Sequence, residues 1–161
     1  MDEASWYGPP RDVLGRTVPV QQFVVRTGHV VVAVPHLVAF REGCLIVLLV
    51  TVRRGGLPMA AWDNRLGGHR AGMPDPEGLT CEIHLRGGTS EPSRLVEAGA
   101  ESSSDDREYR GELRFWLRPL PPPAPFDLVV AGPGMGVDRS VVTLDGGAVV
   151  RAAARAAPFW T

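Results

Sequence analysis

The sequence contains no lysine, since all 17 of its basic residues are arginine. This absence excludes Schiff-base chemistry, a Walker-type phosphate-binding lysine and a lysine general base. Arginine occurs together with abundant Ala, Gly, Pro and Val, a composition typical of a GC-rich genome. Composition alone therefore removes several classes of enzyme.

Cysteine is scarce as well, with only Cys44 and Cys81 in 161 residues. Two cysteines are too few for a disulfide scaffold, and a chain of this length can bury a core without covalent staples. Residues 1–16 carry two acids directly after Met1 and lack an apolar stretch, so a secretory signal is not indicated. We therefore expect a reduced, cytoplasmic protein.

Neither sign of charge is in excess, because 17 basic residues face 18 acidic ones and the formal net charge is −1. A balanced chain has no summed field that attracts polyanions, so neither nucleic acid nor an anionic membrane is an expected partner. The longest apolar run, residues 44–52, is far shorter than the roughly 20 residues that cross a bilayer as a helix. This run is predicted to be a buried strand.

Catalytic and metal-binding motifs are also missing. The sequence has no GxSxG, no HExxH and no paired CxxC. Cys81 and His84 have a spacing found in some metal sites, but on the predicted strand that contains them they point to opposite faces. We expect no metal and no cofactor, and the balance of the motifs is against an enzyme.

What the sequence contains in quantity is β-branched segments separated by turns rich in Gly and Pro. These segments cover residues 18–26, 29–40, 44–54, 79–85, 109–117, 126–131 and 137–144. After Asp145, the predicted N-cap, residues 148–157 have helix-forming composition until Pro158. We predict an all-β fold, an antiparallel β-sandwich of about seven strands with one short C-terminal helix, with an incomplete barrel as the alternative.

One domain is expected over residues 18–161, preceded by an N-terminal arm of residues 1–17. Two long loops interrupt the domain, at about 53–78 and 87–106. The acidic, serine-rich end of the second loop is the segment expected to be disordered.

Proline determines the interpretation of two further segments. Pro35 lacks an amide donor, so the strand that contains it should lie at a sheet edge or contain a bulge, and it should break or bend there. The run Pro119–Pro125 is similar to ligands of aromatic-lined grooves, yet strand-like sequence lies on both sides of it. A rigid connector between two strands or two sheets is the preferred interpretation.

Several motifs in the last third of the chain occur together. They are Phe115-Trp116, the PLPPPAP segment 119–125, a Gly-Pro-x-x-Gly turn at 132–136, and DGGAVVRAAAR at 145–155 with Trp160 beyond it. A Trp-x-Gly-Pro-Pro segment at 6–10 adds to them. In these motifs the chain resembles a group of uncharacterised actinobacterial proteins. The resemblance implies a shared fold and brings no activity.

The aromatic residues carry the first functional hypothesis, a non-enzymatic interaction or structural module. Trp6, Tyr7, Trp62 and Trp160 are candidate exposed anchors, and Trp, Tyr and Arg dominate the energetics of protein interfaces. The expected partner is another protein or a second copy of the chain. The same aromatics could instead anchor the chain ends and loops to the domain.

The loop at 53–78 carries the alternative, a small-molecule or metal-binding sandwich, conceivably an enzyme, with its site between this loop and the sheet. Function concentrates on loops that a rigid scaffold holds in place. A concave, ordered wall beneath the loop would favour this alternative over the first hypothesis. The candidate contacts are Trp62, Asp63, Arg65, His69 and Arg70.

Overall fold

The computed structural model describes residues 8–56, 58, 62, 79–86 and 94–161. Ten strands and one helix lie within these residues. The strands are β1 Val13–Leu14, β2 Arg16–Arg26, β3 Val30–Ala39, β4 Cys44–Arg53, β5 Thr80–Leu85, β6 Arg94–Ser104, β7 Glu108–Arg118, β8 Pro125–Gly132, β9 Val137–Asp145 and β10 Ala157–Pro158. The helix, α1, covers Gly146–Ala153, and a 3-10 turn at Pro133–Met135 joins β8 to β9.

The strands form a sandwich-like arrangement of antiparallel sheets. One sheet has five strands in the order β2-β3-β4-β7-β6, and a second has three in the order β5-β8-β9. A small ribbon pairs β1 with β10. The predicted all-β fold with antiparallel strands and one C-terminal helix is confirmed.

Strand β4 lies at the centre of the larger sheet and supplies much of the core. Its even-numbered residues, from Cys44 to Val52, are buried between the sheets. Its odd-numbered residues face outward, yet Val47 is also buried, which explains why nearly every position of this strand is apolar. The core continues from the facing strands, with Leu128 and Val130 of β8 and Leu144 of β9.

Strand β3 bulges at Pro35, as predicted. Its register with β4 shifts between Ala33 and Leu37, and the buried face changes from even-numbered to odd-numbered residues across the proline. The neighbouring strand β2 shifts register between Pro19 and Gln22, where Gln21 has φ of 53°. Pro35 has no partner on either neighbouring strand, so the bulge places the residue without an N–H donor where no ladder hydrogen bond is required.

The loop predicted at 87–106 is wrong over residues 94–104, which form strand β6. This strand pairs with β7 along its whole length and lies at the edge of the sheet. The turn after it is held by Asp105, whose Oδ1 accepts hydrogen bonds from the backbone N–H groups of Arg107 at 2.7 Å and Glu108 at 2.8 Å. These two N–H groups hold the pKa of Asp105 below its ordinary value.

The arm predicted at residues 1–17 is wrong over its last residues, because β1 and the start of β2 belong to the sheets. Val13 and Leu14 pair with Pro158 and Ala157, and β2 begins at Arg16. The helix was expected to reach residue 157 but ends at Ala153, after which the N–H groups of Arg155 and Ala156 make tighter i to i−3 bonds. The chain then joins β1 as β10.

Two other predictions near the C-terminus are confirmed. Asp145 caps α1, its Oδ1 accepting from the Ala148 N–H at 3.0 Å. The Pro-rich segment after Arg118 links β7 of the larger sheet to β8 of the smaller one, as a connector should. Among the described residues, no helix has the length and hydropathy that spanning a bilayer requires.

Candidate functional site

Trp62 lies in the core, with 1% of its surface exposed. Its indole Nε1 donates to the backbone oxygen of Asp105 at 2.9 Å, and its backbone N–H donates to Pro58 O at 3.0 Å. The expectation that Trp62 is an exposed docking residue is wrong. It anchors its segment to the turn between β6 and β7.

The other candidate contacts from the same loop lie outside the described residues. These are Asp63, Arg65, His69 and Arg70, together with Trp6 and Tyr7 of the N-terminal arm. Their proposed roles stay predictions.

Trp160, two residues beyond β10, is exposed over 77% of its surface, as predicted, and two further apolar side chains at this end of the chain are exposed. Leu14 of β1 is 53% exposed, and Phe159, which follows β10, is 52% exposed. Leu14 pairs with Ala157, and the Phe159 N–H donates to Asp12 O at 2.8 Å. By the alternation of a strand, Leu14 and Phe159 therefore share one face of the ribbon.

Gly15, directly after β1, packs against the larger sheet. Gly15 lies so close to Phe40 and Val38 that an added Cβ would overlap both side chains. Phe40 in turn packs edge-on against Trp116, with ring centroids 5.8 Å apart. The chain that leaves the ribbon at Gly15 is therefore packed closely against the larger sheet, which fixes the position of β1.

Two exposed arginines, Arg16 and Arg155, lie two residues from the ribbon strands in the chain. Arg16 Nε donates to the backbone oxygen of Arg155 at 2.9 Å, which ties the start of β2 to the segment after α1. Both side chains are exposed, and Arg155 also lines, with Arg151, an open groove of about 440 Å³ between β2 and α1. One carboxylate, Asp12, directly precedes β1. We call Leu14, Phe159, Trp160, Arg16 and Arg155 the chain-end surface.

A second concave feature lies at the other end of β2. It is a cavity of about 320 Å³, which we call the hairpin-end cavity. Its walls come from the β2–β3 turn, from the residues that end β4 and from the turn before β9. The lining residues that matter chemically are Thr27, His29, Arg53, Arg54 and Met135.

The thiols do not form an activated nucleophile. Burial raises the pKa of both Cys44 and Cys81 to about 12, and at Cys81 the charge of Glu97 adds to the effect. Burial also raises the pKa of the Tyr109 hydroxyl. At neutral pH these groups are protonated, and a protonated thiol is a weak nucleophile.

We expect both cysteines to resist alkylation in the folded protein. At pH 8 a thiol of ordinary pKa is partly ionised, whereas one with a pKa near 12 holds on the order of one thiolate in 10⁴. Iodoacetamide labelling followed by intact mass should show almost no adduct in native protein and two adducts in guanidinium. Rapid native labelling of Cys81 would contradict this assignment.

Metal ligands are not clustered in the described part of the chain, where no group of three or more His, Cys, Asp or Glu side chains comes together. His84 instead lies 3.2 Å from Glu82 Oε2 on the exposed face of β5. Cys81 lies on the inner face of that strand, among the half-buried residues that pack on the core.

Comparison of the chain with protein-family models, with curated proteins and with solved structures finds no match in any of the three. Function is therefore inferred from the chain-end surface and the hairpin-end cavity.

Proposed function

We propose that this protein is a non-enzymatic interaction module that docks another protein through the chain-end surface. The observation that carries the proposal is the exposure of Leu14, Phe159 and Trp160, each more than half exposed, the first within the ribbon and the other two directly after it. Single exposed apolar residues are ordinary, but a contiguous group marks an interaction site.

The composition of the surface supports a protein partner. Trp and Arg are enriched among the residues that dominate interface energetics, and a Trp side chain buries roughly 150–250 Å² when it is covered. Trp160 supplies such an anchor, and the exposed Arg16 and Arg155, which are joined to each other, flank the ribbon strands in the chain. The complementary partner carries an apolar pocket with acidic residues at its rim.

Rigidity of the ribbon also supports docking. Phe159 is held by its backbone bond to Asp12, and Arg16 by its bond to the carbonyl of Arg155. Side chains on a fixed backbone lose less conformational entropy on binding than those on a loose terminus. Because Cys44 and Cys81 are free thiols, a reducing cytoplasm is the setting that we propose.

The test places a photo-crosslinking amino acid at Trp160 and, as a matched control, at Phe23, which is 54% exposed on β2. Each protein is irradiated in an extract of its native cells. We expect a discrete protein adduct from position 160 that position 23 does not give. If the adduct is a second copy of the chain, the docking surface stands but the partner proposed here is wrong.

With the crosslinked protein purified, Trp160→Ala should weaken binding by at least about 30-fold, which corresponds to about 2 kcal/mol for an interface anchor. Phe23→Ala should change the dissociation constant by less than about threefold. Both variants should unfold within ~0.5 kcal/mol of the unmodified protein, since both side chains are exposed. Equal binding by the Trp160 variant and the unmodified protein would exclude the chain-end surface as the interface.

A further inference from the structure

The hairpin-end cavity lies at the far end of β2 from the chain-end surface. Strand β2 begins at Arg16 and ends at Arg26, one residue before Thr27 in the cavity wall. A strand of this length spans about 30 Å. A ligand in the cavity would therefore not compete directly with a protein docked at the ribbon.

Three side chains that can carry positive charge line the cavity. Arg53 is exposed at the end of β4, Arg54 follows it, and His29 lies in the facing turn. The described lining residues include no Asp or Glu. The described lining is therefore basic, with hydrogen-bond donors on three of its residues.

The backbone that carries the polar residues of the cavity is held by hydrogen bonds. The Thr27 hydroxyl accepts from the N–H groups of His29 at 3.2 Å and Val30 at 3.0 Å, which closes the turn. The Arg53 N–H donates to His29 O at 2.7 Å and so fixes the end of β4 against this turn.

Arg54 is oriented by hydrogen bonds to the turn between β6 and β7. Arg54 Nη1 donates to the backbone oxygen of Asp106 at 3.1 Å, and its N–H donates to Arg107 O at 2.8 Å. Gly55 then turns the chain with φ of 57°, beside the His29 ring. Charged groups that are ordered before a ligand arrives cost less to order on binding.

Size and chemistry narrow the class of ligand. A volume of about 320 Å³ is at the lower end of the range for small-molecule pockets. Guanidinium groups bind phosphate with paired, charge-assisted hydrogen bonds, and a phosphate monoester carries enough charge for two arginines. The buried Met135 side chain and Val30 add apolar wall for the organic part of the molecule.

From this arrangement we propose that the hairpin-end cavity binds a small molecule carrying a phosphate group. Arg53 and Arg54 hold the phosphate, and His29 donates from the facing turn. The proposal concerns a site separate from the protein-docking surface and does not depend on it.

The test is a titration of ¹⁵N-labelled full-length protein at constant ionic strength, followed by amide chemical shifts. The probes are inorganic phosphate, adenosine 5′-monophosphate and, as a carboxylate, succinate. We expect saturable shifts at His29, Arg53 and Gly136 with a dissociation constant of about 1 mM or tighter for the monophosphate. Inorganic phosphate should bind at the same amides more weakly, since it lacks the organic part, and succinate should bind weakest.

Arg53→Ala should weaken monophosphate binding by at least about tenfold, the loss expected when a charge-assisted contact is removed. The matched control is Arg41→Ala, an exposed arginine in the β3–β4 turn at the other end of the sheet, and it should bind like the unmodified protein. Arg53→Gln provides a second variant that keeps part of the aliphatic stem and a neutral polar end, and it should also bind weakly. Shifts that rise linearly without saturation, tighter binding of succinate, or equal effects of Arg53→Ala and Arg41→Ala would each overturn the proposal.

Discussion

Replacing Trp62 by alanine is expected to destabilise the fold by about 3–5 kcal/mol, the range for deleting a buried Trp or Phe side chain. The side chain is almost completely buried, so the variant loses apolar burial and leaves a cavity. It also loses the hydrogen bond from Nε1 to Asp105 O. With a typical total stability of roughly 5–15 kcal/mol, such a loss is a large part of the whole.

The measurement is urea unfolding followed by far-ultraviolet circular dichroism, because three other tryptophans complicate fluorescence. Trp62→Phe separates two contributions, since it keeps most of the apolar volume and removes the indole N–H. We expect its free energy of unfolding to lie between those of the alanine variant and the unmodified protein, with about 1 kcal/mol of the loss due to the missing hydrogen bond.

Trp160→Ala is the matched control for Trp62→Ala, because the same residue type is removed from an exposed position. Its stability should stay within ~0.5 kcal/mol of the unmodified protein. If Trp62→Ala unfolds at the same urea concentration as Trp160→Ala, then Trp62 is not a core residue in solution, and its role as an exposed docking residue returns as a hypothesis.

The sequence predicts those strands in which the pattern of apolar and polar residues follows the burial of each face. Strand β4 is apolar at nearly every position because it lies at the centre of the larger sheet, and β5 alternates because one of its faces is exposed. Strand β6 was missed because it is an edge strand whose last residues, Glu101–Ser104, are all exposed. Its conformation depends on pairing with β7, which local composition does not record.

Long-range pairing also explains the missed ribbon. Strands β1 and β10 have two residues each and come from opposite ends of the chain. No periodicity can be read from two residues, so the sequence suggested an arm and a longer helix. Leu14 and Phe159 were missed as surface residues for the same reason, although the apolar Phe159-Trp160 pair directly after Pro158 was a signal that could have indicated them.

The two tryptophans, Trp62 and Trp160, differ in how well their exposure can be predicted from the sequence. Trp160 was expected to be exposed and is. Trp62 lies in a segment rich in Gly and Pro, where no pattern distinguishes an anchor from a docking residue, and its contact with Asp105 joins positions distant in the chain. The hairpin-end cavity also could not be predicted from the sequence, because His29 and Arg53 are distant in the chain and are brought together only by the register of β3 and β4.

Two adjacent glycines at the start of α1 should respond in different ways to alanine. At Gly146 an added Cβ would overlap the backbone oxygens of both Pro122 and Ala124. These oxygens belong to the Pro-rich connector, where the Ala124 N–H is bonded to Pro122 O at 2.7 Å. Because backbone must move to admit the methyl group, we expect Gly146→Ala to cost about 2–3 kcal/mol.

At Gly147 the same methyl group would meet only the ends of two side chains, Arg151 Nη1 and Asp145 Oδ1, each at 3.2 Å. Arg151 can move aside, and alanine favours the helix over glycine by up to about 1 kcal/mol, so Gly147→Ala should change stability by less than ~1 kcal/mol in either direction. Urea unfolding of both variants measures the difference. Equal destabilisation would mean that glycine is required by the backbone at the start of α1 and not by the contact between α1 and the connector. The expected difference would show that this contact holds α1 in place against the connector.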